Sequence, residues 1–402
     1  MRRACLLALI GIAVGVGACW GGGDDPADPN TGGAVAGDRV ALRSADSRNS
    51  TVAADSLANT RIGGPYGTVL AFRFRSEWTG VVRSVRFFVV VNSGGRTGYS
   101  GGSGGTLRIQ VTADSGGRPH VPARRALATA TLDQPTGGAW PLVRFRNPAR
   151  VAAGRFYHIV FTNLDADPRR NYVSVNALVS HGNDRPAPPV PGGLAVLLSG
   201  SPDGGRTPGT WFPRSQRRGD RYQPIMEVAG RRADQHLGVG YMEVWVSNPK
   251  PIGGRAMVRQ LISPAAGKAI TGAWLRVRRR GGTGAPLELR IERAAGGVLA
   301  SSEVPAREVP TAHPGWVHVR FPRSIPLERS DQLALTAAAG AGSTYEAFPI
   351  RKGTQFGFDR RTVFNGGYAQ FTKGGDWVGW DQWGGHDERV GDLQFALDTV
   401  PD

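Results

Sequence analysis

The sequence predicts an all-β chain built as two tandem antiparallel β-sandwich domains. Short alternating apolar runs, frequent glycine and proline between them, and one strand–turn–strand pattern that occurs twice all point there. In Leu107-Arg108-Ile109-Gln110-Val111 and Leu287-Glu288-Leu289-Arg290-Ile291 every second residue is apolar, as in a strand with one buried face. No dozen residues keep a 3.6-residue apolar period without Gly or Pro. The 58 Gly and 28 Pro among 402 residues instead supply turns.

The repeat sets the organisation. Leu107 to Val111, the turn Gly116-Gly117, Leu142 to Phe145 and Phe156 to Phe161 are echoed by Leu287 to Ile291, Gly296-Gly297, Val317 to Phe321 and Gln332 to Leu335. The closing strands correspond as well, Tyr222 to Val228 against Asp392 to Asp398. A domain-sized interval indicates duplication and not a short-period solenoid. The stretch Ala229 to Asp234 interrupts the apolar pattern, so one sandwich is expected over 56–230 and the other over 236–402. Many short strands without alternating helices favour a jelly-roll-like topology.

At the N-terminus, Met1-Arg2-Arg3 precedes an apolar run from Leu6 to Val16, too short for a spanning helix and of the form of a signal peptide. The run ends Val16-Gly17-Ala18-Cys19, which resembles the bacterial lipobox. That resemblance implies a lipoprotein signal peptide over 1–18 and a lipid anchor on Cys19, holding the chain to a membrane. An ordinary signal peptide with a chance cysteine is the alternative. Residues 19–55 then comprise the lipidated cysteine and a flexible linker, whose glycine, proline and acids cannot build a core. Trp20, where sorting signals of Gram-negative lipoproteins place Asp, implies the outer membrane or cell surface. The only other cysteine is Cys5, so the mature domains contain no disulfide and depend on burial.

The formal charge of +17 suggests an anionic partner such as an acidic polysaccharide, lipid A phosphate or nucleic acid. For an exported chain a polysaccharide or envelope glycan is the expected partner and nucleic acid is not. The lysines are only Lys250, Lys268, Lys352 and Lys373, and abundant Ala, Gly, Pro and Arg also fit the codon bias of a GC-rich genome. Strand parity sharpens the question. Phe72, Phe74, Val85, Phe87, Leu107, Ile109, Val111, Val143 and Phe145 would face inward. Arg73, Arg75, Arg86, Arg108, Arg144 and Arg146 would then face outward, a candidate polyanion face if the strands share a sheet. A solvated face whose arginine stems cover apolar surface is the alternative. In the second copy Glu288 and Glu292 interleave with Arg290, which favours pairing among neighbours.

Near the C-terminus a glycine-rich stretch carries Tyr368, Gln370, Asp376, Trp377, Trp380, Asp381 and Trp383. Sugars present apolar C–H faces that stack on aromatic rings, and Asp, Gln and His bond their hydroxyls, so these residues are the candidate ligand-binding set. Closure of one end of a sandwich by the tryptophans is the competing reading. Gly366-Gly367, the aromatics and then Gly391 to Leu397 resemble the closing segment of extracellular jelly-roll modules of the carbohydrate-binding and galactose-binding-like kind. That resemblance implies binding through loops and exposed aromatics, without chemistry. The first copy has only Trp211 and Phe212 before its last strand.

Enzymatic signals are thin. Gly101-Gly102-Ser103-Gly104-Gly105 fits the nucleophile-elbow pattern but lies in a glycine run with no following helix, so it is expected to be a flexible hairpin loop. His158 and His318 fall at outward parity, where solvent-facing histidines are ordinary, and Ser180 to Asp184 gathers polar groups in a loop. Phe364 to Gln370 faintly resembles a segment of alginate lyases, which would make Tyr368 the catalytic tyrosine and Gln370 a substrate contact. The lysine of that segment is absent here, as is a Gln-x-His partner. A glycosidase using Asp376, Asp381, Asp387 or Glu388 is a further reading. No cofactor or metal is expected, with structural calcium on those loop acids as the alternative. The expected function is non-catalytic carbohydrate binding at the cell surface, with a structural or adhesive envelope protein and a lyase acting on acidic glycans as alternatives.

Overall fold

A computed structural model describes residues 56–401 apart from 91–98, 121–125, 136–139, 184, 191–192, 205, 216–217, 233–234, 239–240, 247–248, 263–267, 283, 328–331, 357–368 and 380–391. Cys19, Tyr368, Trp380, Asp381 and Trp383 lie outside the described residues, as do Asp387 and Glu388. The architecture is all-β and sandwich-like, as the alternating runs require, and the paired strands described are antiparallel.

Two hydrophobic cores form, one from residues between Ala58 and Leu237 and one from residues between Ile252 and Leu397. Around the first, a large sheet runs in the order Trp211–Pro213, Ala195–Gly200, Thr68–Arg75, Phe156–Asn163 and Thr106–Ser115, with Ala128–Asp133 and Arg118–Pro119 both paired to the last of these. Opposite it lie a sheet of Gly80–Phe87, Leu142–Val151, Met226–Ala229 and His236–Gly238, and a smaller one of Ser56–Ile62, Val173–Ser180 and Arg221–Pro224. Around the second core the same order returns. Asp376–Gly379, Ala369–Lys373, Val258–Ile262, Leu333–Ala339, Leu287–Arg293 and Val298–Val304 form its large sheet. Lys268–Gly282, Gly315–Pro326 and Phe395–Pro401 repeat the facing sheet, which here also takes in Ser343–Ala347 and Lys250–Ile252, and Tyr241–Val246, Pro349–Phe356 and Asp392–Leu393 repeat the small one.

The inward set predicted by parity fills the first core. Phe72, Phe74, Phe87 and Phe161 are fully buried, and Phe161 meets Phe72 at 5.2 Å and Phe87 at 4.9 Å, both edge to face. Each such side chain removed from water contributes about 1.5–3 kcal/mol. With no disulfide available, Phe87–Phe161 ties the facing sheets across the core, while Phe72–Phe161 packs neighbouring strands of one sheet.

The outward set requires a correction. Arg73, Arg75 and Arg108 belong to the large sheet of the first unit, whereas Arg86, Arg144 and Arg146 belong to the sheet across the core. Their outer faces look in opposite directions, so the six do not form one polyanion face. Parity fixes the face of a strand but not the sheet that strand joins. Arg73 is moreover buried, and Arg86 lies 3.5 Å from Glu227.

The two units are joined at defined points. Asn183 Nδ2 donates to Pro314 O at 2.6 Å, Trp316 Nε1 donates to His181 O at 3.1 Å, and Arg185 donates to Glu308 O. The polar loop from Ser180 thus makes the joint between the units. The run Gly101 to Gly105, expected to be a flexible hairpin loop, is docked on the chain beside it: Gly101 and Tyr172 exchange backbone hydrogen bonds of 2.8 and 3.0 Å, and Ser103 N donates to Asn171 Oδ1. Ser103 Oγ accepts from Gly105 N, a loop-closing bond.

Candidate functional site

The outer face of the large sheet can be compared row by row between the units, because pairing registers make the positions equivalent. In the first unit Gln110, Val160, Ala71 and Leu197 lie in one row across four strands. In the second the row is Arg290, Thr336, Arg259 and Gln370. One row along, Ser199 pairs with Trp211 and Thr372 pairs with Trp377, so these two tryptophans are counterparts.

In the first unit this face is closed. Val69, Ala71, Val160, Ala195, Leu197 and Trp211 form a separate buried cluster, and Trp211 is only 4% exposed. Beside them lies an ionic group in which Arg73 and His158 are buried and Asp114 partly so. Asp114 Oδ1 accepts from Arg73 Nε and from His158 Nε2, each at 2.8 Å, and the Arg73 guanidinium lies 3.8 Å over Phe156. The short strand Arg118–Pro119 turns back against Trp211–Pro213 and the strand of His158. His158, expected to face solvent, is fully buried for that reason, and its Nδ1 has no hydrogen-bond partner among the described residues. Burial pushes the His158 pKa down, against the upward pull of Asp114. Burial would raise the Asp114 carboxyl, but hydrogen bonds from His158, Arg73 and the Gly117 N–H outweigh it and hold it well below the usual carboxylate range.

In the second unit the equivalent face is polar and half open. Arg259 Nε donates to Gln370 Oε1 at 2.7 Å, and its guanidinium lies 4.3 Å over the Trp377 ring. Arg290 Nε meets Glu292 Oε2 at 3.0 Å, and Glu292 Oε1 accepts from Thr336 Oγ1 at 2.5 Å. Glu288 lies 3.7 Å from Arg290. The pairing foreseen for Glu288 and Glu292 is therefore present. Trp377 is partly exposed on this outer face, not part of the core. Asp376 is exposed at the end of the hairpin, whose Gly374-Gly375 turn has φ of +65° and +103°, the left-handed values a two-residue turn requires.

Of the residues singled out from sequence, the structure therefore brings Gln370 and Trp377 together and leaves Asp376 at the rim. Arg259, which links them, carried no local signal beyond its outward parity in Val258–Ile262. Among the described residues no three His, Cys, Asp or Glu side chains gather as a metal site.

A concavity lies where the units meet. It measures about 270 Å³ and is lined by Arg185 and Pro186 of the first unit and by Trp274, Val304, Glu308, Trp316, Val317 and His318 of the second. Trp274 and His318 stack with centroids 4.1 Å apart and planes at 16°. Asp398 holds both rings, accepting from Trp274 Nε1 at 3.1 Å through Oδ1 and meeting His318 Nε2 at 2.6 Å through Oδ2. His318 falls at outward parity in its strand, but nothing in the sequence brings it together with Trp274.

No family model and no curated protein matches the chain. Among solved structures it is similar to a clostridial cysteine protease, Cwp84, after propeptide cleavage, at 11% identity over 80% of this chain and 71% of that one, with a TM-score of 0.25. A likeness at that level carries no argument about function.

Proposed function

We propose that this chain is a non-catalytic carbohydrate-binding protein, held at the outer surface of a bacterial envelope by a lipid on Cys19. The observation that carries the binding half is the placement of Trp377. Its ring is partly exposed on the outer face of a sheet, with Arg259 over it and Gln370 beside that arginine, where the first unit buries the equivalent Trp211 in an apolar cluster. A flat indole edge and face serve the C–H surface of a pyranose, while guanidinium and amide groups on a stiff sheet offer fixed partners to its hydroxyls. Arg259 and Arg290 are balanced on this face by Glu288 and Glu292, so stacking and hydrogen bonding, more than attraction of a polyanion, drive the binding. The exposed Asp376 extends the rim.

A glycan array probed with the full-length protein tests this reading. Retention of a glycan that Trp377→Ala and Arg259→Ala each weaken, with little change on raising the salt concentration, supports it. An array that retains nothing, or retention indifferent to both substitutions, leaves a tethered scaffold. The anchor is tested separately by metabolic palmitate labelling, which Cys19→Ser abolishes if the lipid is there.

A further inference from the structure

We infer that the cleft between the two units is a second saccharide site, taking one neutral pyranose ring. The inference uses none of the residues of the sheet face, so either can fail alone.

Three features of the cleft point to that occupant. The first is a pre-set aromatic wall. Asp398 engages Trp274 with one carboxylate oxygen and His318 with the other, which fixes the two stacked rings before any ligand arrives. Pre-organisation of this kind lowers the entropic cost of binding. Room for the arrangement comes from Gly272, where a Cβ would stand 2.8 Å from Asp398 Oδ2 and 3.3 Å from His318 Nε2. With the Trp274 N–H engaged and one indole face stacked on His318, the other face and the edge are what remain for a ligand.

The second feature is the set of polar groups around that wall. His318 is partly exposed and lines the cleft, and with its Nε2 committed to Asp398 its Nδ1 is the ring atom left for a hydroxyl. Across the cleft, Arg185 contributes a guanidinium whose described hydrogen bond is to a backbone carbonyl, and Glu308 is exposed with no ionic partner among the described residues. Donors and acceptors thus surround an aromatic face, which is what the alternating hydroxyls and C–H face of a sugar require.

Charge and size narrow the class. Arg185 is offset by Glu308, and Asp398 adds a carboxylate behind the rings, so a uronate or another anionic sugar meets as much repulsion as attraction. The volume of 270 Å³ lies just under the range of about 300–1,000 Å³ that houses larger ligands, which suits one ring and not a chain. Because hydrogen bonds from Asn183, Arg185 and Trp316 cross the joint, the site exists only while the two units are docked.

Intrinsic tryptophan fluorescence and calorimetric titration of the full-length protein with glucose, galactose, mannose, N-acetylglucosamine and glucuronate test the inference. Saturable millimolar binding of at least one neutral sugar, tighter than glucuronate, is expected. Trp274→Ala should weaken it by about tenfold or more, Glu308→Ala, at an exposed side chain, should weaken it with folding intact, and Arg185→Ala should weaken it more, because that arginine also bonds across the joint. Trp377→Ala should leave it unchanged, which separates this site from the sheet face. Failure of all four neutral sugars to bind, a preference for glucuronate, or binding untouched by both Arg185→Ala and Glu308→Ala overturns the inference.

Discussion

The same sheet face is built twice in this chain and finished in two ways. In the first unit Ala71, Val160, Leu197 and Trp211 close it, and the Arg73–Asp114–His158 group is sealed beside them. In the second, Arg259, Thr336, Gln370 and Trp377 occupy the equivalent places and leave the face polar and part-exposed. The difference teaches that a duplicated scaffold can keep its core and strand order while the side chains pointing away from that core decide whether a face stabilises the unit or meets the medium. A tryptophan conserves its place in the register but not its role: Trp211 is a packing residue and Trp377 a surface one.

Breaking the closed face should have the largest effect. Trp211→Ala removes a buried indole and leaves a cavity, which should cost the first unit about 3–5 kcal/mol in denaturant unfolding. Trp377→Ala should cost less than about 1 kcal/mol. Equal losses would erase the distinction between the two faces.

Next comes the ionic group. Asp114→Ala deprives the buried Arg73 of its carboxylate and should destabilise the first unit by about 3 kcal/mol in the same measurement. Ala334 stands in the second unit where the register places His158 in the first, so the corresponding position carries no titrating side chain.

Acid should sharpen the contrast further. The folded-state pKa of His158 is lowered by burial, so the unfolded chain takes up its proton first as the pH falls below about 6.5. Stability held above that value is therefore lost on acidification. Asp114, also lowered, adds a second loss as the pH falls below the usual carboxylate range. Thermal melts between about pH 7.5 and 5 should show the first unit falling, and His158→Gln should flatten that slope. A slope of opposite sign would contradict the lowering of the His158 pKa by burial. The smallest effect is expected for Arg259→Ala, about 0.5–1 kcal/mol for its contact with Trp377, read by the same melts.

Much of this was legible in the residues. Alternation in Leu107 to Val111 and Leu287 to Ile291 announces strands because the strand period is two, and the echoed order of runs announces the duplication. Gln370 and Trp377 stand out because an aromatic glycine-rich stretch is unusual. What alternation cannot carry is partnership at a distance. Arg259 and Gln370 are 111 positions apart, and Trp274 and Asp398 are 124 apart, so only the sheet registers bring them together. For the same reason Arg73 and Arg86 read alike in sequence yet end on opposite sides of a core. His158 read as a surface residue because its outward face is covered by a turn-back of the chain at Arg118–Pro119, which strand parity does not encode.

Writing the first unit's finish onto the second tests the central claim most directly. The double substitution Arg259→Ala with Gln370→Leu removes both partners of one hydrogen bond together and installs the residues found at the equivalent positions, Ala71 and Leu197. Removing a matched pair leaves neither Arg259 nor Gln370 orphaned, so the thermal midpoint should fall by no more than the small loss expected for Arg259→Ala alone, the contact with Trp377 going in both. Calorimetric titration with the glycan that the unaltered protein retains should then show binding lost. Undiminished affinity in a folded double variant would contradict the assignment of this face as the recognition surface.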